Sequence, residues 1–292
     1  MDRFKKANRA SLFGIVGNIF LFFIKIIVGI ISSSQAMLAD AFNSASDILS
    51  SIMTYIGNKV ASKGVDEDHD LGHGKAEYIY SMLISITMMV LGITILLDSI
   101  KSIFNPNEYA FTIWLVVVCI VTILVKLGLY LYTRSIGKKY NNLLVEANSK
   151  DHRNDILITS CNLLAVIMSL FGIQIVDGIV GVLISLWILF SGLKIFKESY
   201  DVLMDKTISL ETKDKVLDII KVHKEIVKIQ HFNATPVGYR YQVSFSIFVD
   251  GNMSTFDSHD IANKLEKEII KKVPEIYLVV IHVNPYGENR KK

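Results

Sequence analysis

The residues best suited to chemistry are acidic and sit inside apolar runs. Asn43 and Asp47 stand four apart in LADAFNSASD, and Asp151 and Asp155 stand four apart in ANSKDHRND. On a helix an i,i+4 step returns to the same face, so each pair directs two oxygen donors to one side. If the two faces meet, four oxygens surround one point. An ionisable side chain at bilayer depth costs about 2.5–3.5 kcal/mol on insertion scales, which makes it a functional candidate by default. A lone Asn43 could instead act as hydrogen-bonding glue between helices. That explanation fails for three carboxylates, because buried anions without a counter-cation are too costly. Asp40, one turn before Asn43, reads as support behind the ligands rather than a ligand itself. Three carboxylates and one amide carbonyl are hard donors that suit Mn²⁺, Mg²⁺ or Ca²⁺. Zinc prefers His or Cys in a tetrahedral shell.

Other residues carry competing readings. His152 is the one histidine within an apolar run, and it is turned about 100° from Asp151 around the helix. It could pair with Asp155 at i,i+3, or simply be solvated at a helix end. Lys25 and Lys126 are isolated lysines read as snorkelling toward the interface. Between the second and third apolar runs lies VDEDHDLGHGKAE, residues 65–77. There Asp66, His69 and His73 offer a mixed nitrogen and oxygen metal site, with a solvated acidic loop as the plainer alternative.

Positioning these groups requires membrane-spanning elements. A spanning helix needs about 20 mostly apolar residues, and six segments qualify: Ala10–Ile31, Gln35–Ile56, Tyr78–Ile100, Phe111–Thr133, Leu143–Phe171 and Ile175–Phe196. The first is too long for a signal peptide and lacks a cleavage pattern. None of the four prolines falls inside a span, so unbroken helices follow. Composition agrees, with 51% hydrophobic residues and a mean hydropathy of +0.40. A net charge of +3 without a concentrated basic face argues against a nucleic-acid binder. Cys119 and Cys161 form no CxxC pair, which leaves no support for a disulfide framework or thiolate metal site. Twelve Lys and Arg residues fall on one side of the bundle, from Arg3 through Arg153, against Lys101 on the other. Both termini are therefore expected in the cytoplasm.

The pattern becomes soluble near Asp205, giving an expected division into residues 1–204 and 205–292. Leu210–Val222 has helical periodicity, and Val227–Ala234 reads as a strand. Tyr241, Val243, Phe245, Ile247 and Val249 alternate onto one face of a second strand. Phe256–Val273 is an amphipathic helix ended by Pro274, and Ile276–Val283 is a final strand. The order α-β-β-α-β suits a two-layer α+β domain. The fold class is thus an all-α six-helix membrane domain followed by a small α+β domain.

Taken together and in order, LADAFNSASD, DEDHDLGHGKAE and ANSKDHRND resemble the cation diffusion facilitators over nearly the whole chain. The resemblance implies a homodimer that exports a divalent metal from the cytoplasm in exchange for protons, in the cell membrane of a bacterium. It places the transport site at Asn43, Asp47, Asp151 and Asp155. Zinc-exporting members carry His or Asp at the first position and His at the third. Asn43 and Asp151 resemble the bacterial manganese-exporting branch instead, in agreement with the hard donor set. An Fe²⁺ or Zn²⁺ exporter of the same fold is the alternative. A membrane metalloenzyme would need a general base and an open coordination position, and no HExxH-like helix is present. A channel would need a selectivity ring. The transported ion is cargo, and no cofactor is implied. Asp66, His69 and His73 match the family's second metal site. The tail resembles its metallochaperone-like dimerisation domain, whose zinc cluster would involve His231, His259 and His282. Phe245 and Asn284 stand where zinc members have His and Asp, so a weak or absent tail site is expected. Lys75 and Asp205 match a structural ion pair that joins the tail to the helices.

Overall fold

A computed structural model describes residues 2–31, 35–104, 113–169 and 175–287, and the side chains of Asp40 and Asn43 lie outside the described residues. The chain divides into two compact units, Met1–Tyr200 and Asp201–Lys292.

Six helices occupy the N-terminal part: α1 (Asp2–Ile31), α2 (Gln35–Ala61), α3 (Ala76–Phe104), α4 (Ile113–Lys139), α5 (Leu143–Ser169) and α6 (Ile175–Leu203). Several outrun their apolar segments because polar ends continue the backbone ladder. Among the described residues, Arg3–Ile31, Ala76–Phe104 and Val116–Lys139 are apolar and long enough to cross a membrane. The surfaces are reversed relative to a water-soluble bundle. On α1, Phe13, Val16, Phe20, Phe23 and Ile27 face outward while Ser11, Asn18 and Lys25 are buried. On α2, Leu49 and Ile56 are exposed while Ser44, Asp47, Ser51, Thr54 and Asn58 are buried. Apolar flanks around a polar interior are what a hydrocarbon solvent selects.

Helix α1 packs on α2 and α4, α4 packs on α5, and α3 packs on α2 and α5. Gly57 permits one close approach: a Cβ there would fall 2.5 Å from Leu144 Cδ2 and 2.8 Å from the Tyr80 side chain. Small residues serve this purpose in membrane bundles, where close packing replaces the hydrophobic drive.

The start of α5 is pinned from several directions. Asn142 accepts from the Val145 N–H at 2.9 Å and donates to Asn58 Oδ1 at 2.8 Å. Nearby, the Arg3 guanidinium pairs with Glu77 at 2.7 Å and donates to the carbonyls of Tyr140 and Asn141. Glu77 Oε1 also accepts from the Leu143 N–H at 2.7 Å. Glu77 therefore belongs to the buried first turn of α3, 1% exposed, rather than to a solvated acidic loop. One carboxylate and one guanidinium so tie α1 and α3 to the α4–α5 turn.

The second unit contains α7 (Leu210–Val222), β1 (Lys228–Val237), β2 (Arg240–Asp250), α8 (Thr255–Lys272) and β3 (Ile276–Tyr286). Ser209 caps α7 by accepting from the Thr212 N–H, and Ser254 caps α8 by accepting from the Asp257 N–H. The sheet order is β1-β2-β3, with β1 antiparallel and β3 parallel to β2. A parallel neighbour requires a crossover, which α8 supplies. Val243, Phe245, Ile247 and Val249 pack with Val216 and Ile220 of α7 and with Leu265 and Ile269 of α8 in one core. Pro236 and Pro285 fall within β1 and β3, the two edge strands, where a missing N–H costs no central ladder bond.

Candidate metal centres

Asp47 lies in the middle of α2, and Asp151 and Asp155 lie two and three turns into α5. All three side chains are buried. Asp47 and Asp155 converge on a single cation, since Lys126 Nζ of α4 stands 2.7 Å from Asp47 Oδ2 and 2.6 Å from Asp155 Oδ2. Ser50, one turn beyond Asp47, stands near the Asp151 carboxyl. The α2 backbone is held here by Asn18 of α1, which donates to the Asp47 carbonyl and to Ser51 Oγ, both at 3.1 Å. The structure thus brings Asp47 and Asp155 together on Lys126, with Asp151 one turn before Asp155 on α5; the donor atoms of the three do not all lie within 4.8 Å of one another. Asn43 and Asp40 lie on the same helix as Asp47, and their side chains fall outside the described residues.

The reading of Lys126 as a snorkelling residue is corrected. Its side chain is 1% exposed and bridges two carboxylates of the acidic centre. Snorkelling needs a route to water along the stem, whereas the packing of α4 on α5 and α1 encloses Lys126. Lys25 does not snorkel either: it is buried and donates to Ser44 Oγ at 2.9 Å. Three buried anions require a counter-cation, and a lysine in the middle of an apolar helix is the sequence signal for one. His152 is likewise not solvated. It is fully buried, a Cβ at Gly14 would approach its Nε2 to 3.5 Å, and neither ring nitrogen has a hydrogen-bond partner among the described residues.

The loop between α2 and α3 gathers a second set. Asp66 Oδ1 lies 3.0 Å from His69 Nδ1, and Asp66 Oδ2 lies 3.3 Å from His73 Nε2. The two imidazoles are 4.3 Å apart between ring centres. All three donor atoms fall within 4.8 Å of one another, the single such group of His, Cys, Asp and Glu among the described residues. Gly72, with φ of +71°, makes the turn that returns His73 to the group. Desolvation, the largest single influence, raises the Asp66 carboxyl, but hydrogen bonds from the His69 side chain and backbone, the nearby His73 ring and the Asp68 N–H together hold it below the usual range. An anionic oxygen beside two imidazoles suits a borderline divalent ion.

The tail histidines are scattered by comparison. His231 occupies a bulge of β1 with φ of +54°, His259 is on α8 next to Asn263, and His282 is on β3 facing Asn284 Oδ1 at 3.1 Å. Phe245 is a core residue stacked on Phe232, so that position holds up the sheet. Lys75 precedes α3 in the first unit, and Asp205 follows α6 in the second with φ of +56°.

A helical bundle with apolar flanks and buried carboxylates gathered on a cation, joined to a small α+β unit, defines a membrane cation transporter. Residues 11–204 match the cation efflux transmembrane domain and residues 208–286 the cation efflux protein cytoplasmic domain. The chain belongs to this family, the cation diffusion facilitators, whose members are transporters and not enzymes. Among its relatives is the manganese efflux system protein MneP of Bacillus subtilis, 26% identical over 98% of this chain and 99% of the relative. The manganese efflux system protein MneS of the same organism is 28% identical over 97% of each chain. The cation-efflux pump FieF of Shewanella oneidensis is 28% identical over 96% of this chain and 94% of the relative.

Proposed function

We propose that this protein exports Mn²⁺ from the cytoplasm in exchange for protons, as a homodimer in a bacterial cell membrane with both termini cytoplasmic. The observation that carries the reading is the convergence of Asp47 and Asp155 on one buried cation, with Asp151 beside them. The donors at positions 43, 47, 151 and 155 are all oxygen, which favours manganese over zinc by ligand type. Relatives named for manganese efflux match the full length, and FieF matches to a similar degree, so the donor set weighs more than the names.

Exchange follows from shared atoms. The carboxylate oxygens that hold a metal ion are those that take up protons, so one cargo leaves as the other binds. Opening the centre alternately to each side of the membrane then links the two fluxes. Asp66, His69 and His73 form a second binding site at the helix ends, suited to capturing ions before transport. His231, His259 and His282 contribute at most weak binding in the tail, and the ion pair that the family resemblance implies for Lys75 and Asp205 is tested by charge reversal.

The test is a metal panel in proteoliposomes carrying a pH-sensitive dye. Proton flux driven by Mn²⁺ more strongly than by Fe²⁺, Zn²⁺, Co²⁺ or Cd²⁺ supports the reading. A leading response to Zn²⁺ or Fe²⁺ reassigns the cargo, and no metal-driven proton flux removes the exchange mechanism.

A further inference from the structure

Lys126 is the buried cation on which Asp47 and Asp155 converge, and the transport reading gives it no step of its own. We propose that its ammonium is a tethered counter-cation, held between Asp47 and Asp155 between transport events and displaced by each incoming metal ion. The proposal rests on the reading of Asp47, Asp151 and Asp155 as the transport site.

Space makes the two cations mutually exclusive. The ammonium nitrogen stands 2.7 Å and 2.6 Å from one oxygen of each aspartate. A hard divalent ion sharing those oxygens would sit about 2.0–2.6 Å from each, on nearly the same point. Electrostatics explains why some cation must be there. Carboxylates taken out of water without a partner are strongly unfavourable, and an ion pair with good hydrogen bonds offsets that cost. The bundle can therefore keep the site dry when no metal is aboard.

Lysine suits this role better than arginine. Its ammonium is a compact point charge on a flexible four-carbon stem, whereas a guanidinium would lock bidentate onto one carboxylate. A partner for the withdrawn ammonium is offered on the same helix. Thr122 lies one turn earlier on the same face of α4, and helical side chains lean toward the N-terminus. The Thr122 hydroxyl is buried with no hydrogen-bond partner among the described residues, as is Asp155 Oδ1. A withdrawn ammonium can donate to Thr122 and remain within the Coulomb field of the aspartates.

A tethered ammonium also acts as a filter. It competes at a high effective concentration, so monovalent ions of equal charge gain nothing by replacing it. A divalent ion doubles the Coulomb attraction to each carboxylate and can displace it. The site then rejects Na⁺ and K⁺ without a size filter, and its apparent metal affinity is lowered by the fraction of time Lys126 occupies it.

The experiment measures Mn²⁺ binding to the purified full-length protein by calorimetry at pH 8. Lys126→Met, Lys126→Gln and Asp155→Ala are compared with the parent protein. If Lys126 occupies the site nine-tenths of the time or more, both neutral variants bind Mn²⁺ about tenfold tighter or better. Asp155→Ala loses binding at this site. Unchanged or weaker binding in the Met and Gln variants, with binding lost in Asp155→Ala, overturns displacement and leaves the transport site standing. Parent-like binding in Asp155→Ala overturns the site itself. Failure of both neutral variants to fold even in saturating Mn²⁺ also overturns the proposal, because a metal able to replace the ammonium would supply the missing charge.

Discussion

Glu77→Gln tests whether the clasp at the start of α5 holds the bundle together. The carboxylate is 1% exposed and meets an Arg3 side chain that is 9% exposed, at 2.7 Å. Breaking a buried ion pair by neutralising one partner costs about 3–5 kcal/mol, since it strands the other charge. Two details favour the lower end. The glutamine carbonyl can still accept from the Leu143 N–H, and Arg3 retains the Tyr140 and Asn141 carbonyls. We therefore expect about 3 kcal/mol. For a unit of this size each kcal/mol shifts the melting point by about 2–4 °C, so the loss is about 6–12 °C. The assay is thermal unfolding of purified protein in detergent, with Arg3→Met and the double variant alongside. Replacing both charges removes the stranded partner, so the double variant should be less destabilised than the sum of the singles. A Glu77→Gln melting point within about 2 °C of the parent, or strict additivity in the cycle, would refute the clasp. Because Asp151 and Asp155 hang from the helix that the clasp fixes, transport should fall with stability in this variant.

Three further outcomes are expected. Asp47→Ala and Asp155→Ala should each abolish Mn²⁺-driven proton flux while expression survives, and normal flux in either would remove the assignment of the transport site. Asp151→His should raise Zn²⁺ flux relative to Mn²⁺ in the proteoliposome panel, because an imidazole replaces a hard anionic donor with one that zinc prefers; an unchanged preference would place selectivity elsewhere. A Lys75→Asp, Asp205→Lys swap should restore what either single reversal damages, and a swap no better than the singles would leave the two residues uncoupled.

How much of this was legible in the chain differs from element to element. The six-helix class and the α-β-β-α-β tail follow from local signals: the length of apolar runs, the alternation from Tyr241 to Val249, and the stop at Pro274. Each is written within a dozen or two residues, so periodicity suffices. The carboxylates at 47, 151 and 155 stood out for the same reason, as charges where the solvent forbids them. Lys126 did not, because its meaning depends on which face of α4 turns inward against α1 and α5, and its partners lie 79 and 29 residues away. The Arg3–Glu77 pair spans 74 residues, and nothing local couples a basic N-terminus to the end of an acidic loop. His152 reads as solvated at a helix end, yet a 100° step around the helix turns it into the bundle against Gly14. The sequence by itself determined where charge is placed along the helices and how the tail alternates. Tertiary packing decided which charges meet, because pairing at a distance depends on helix rotation and crossing, and no period in the chain records either.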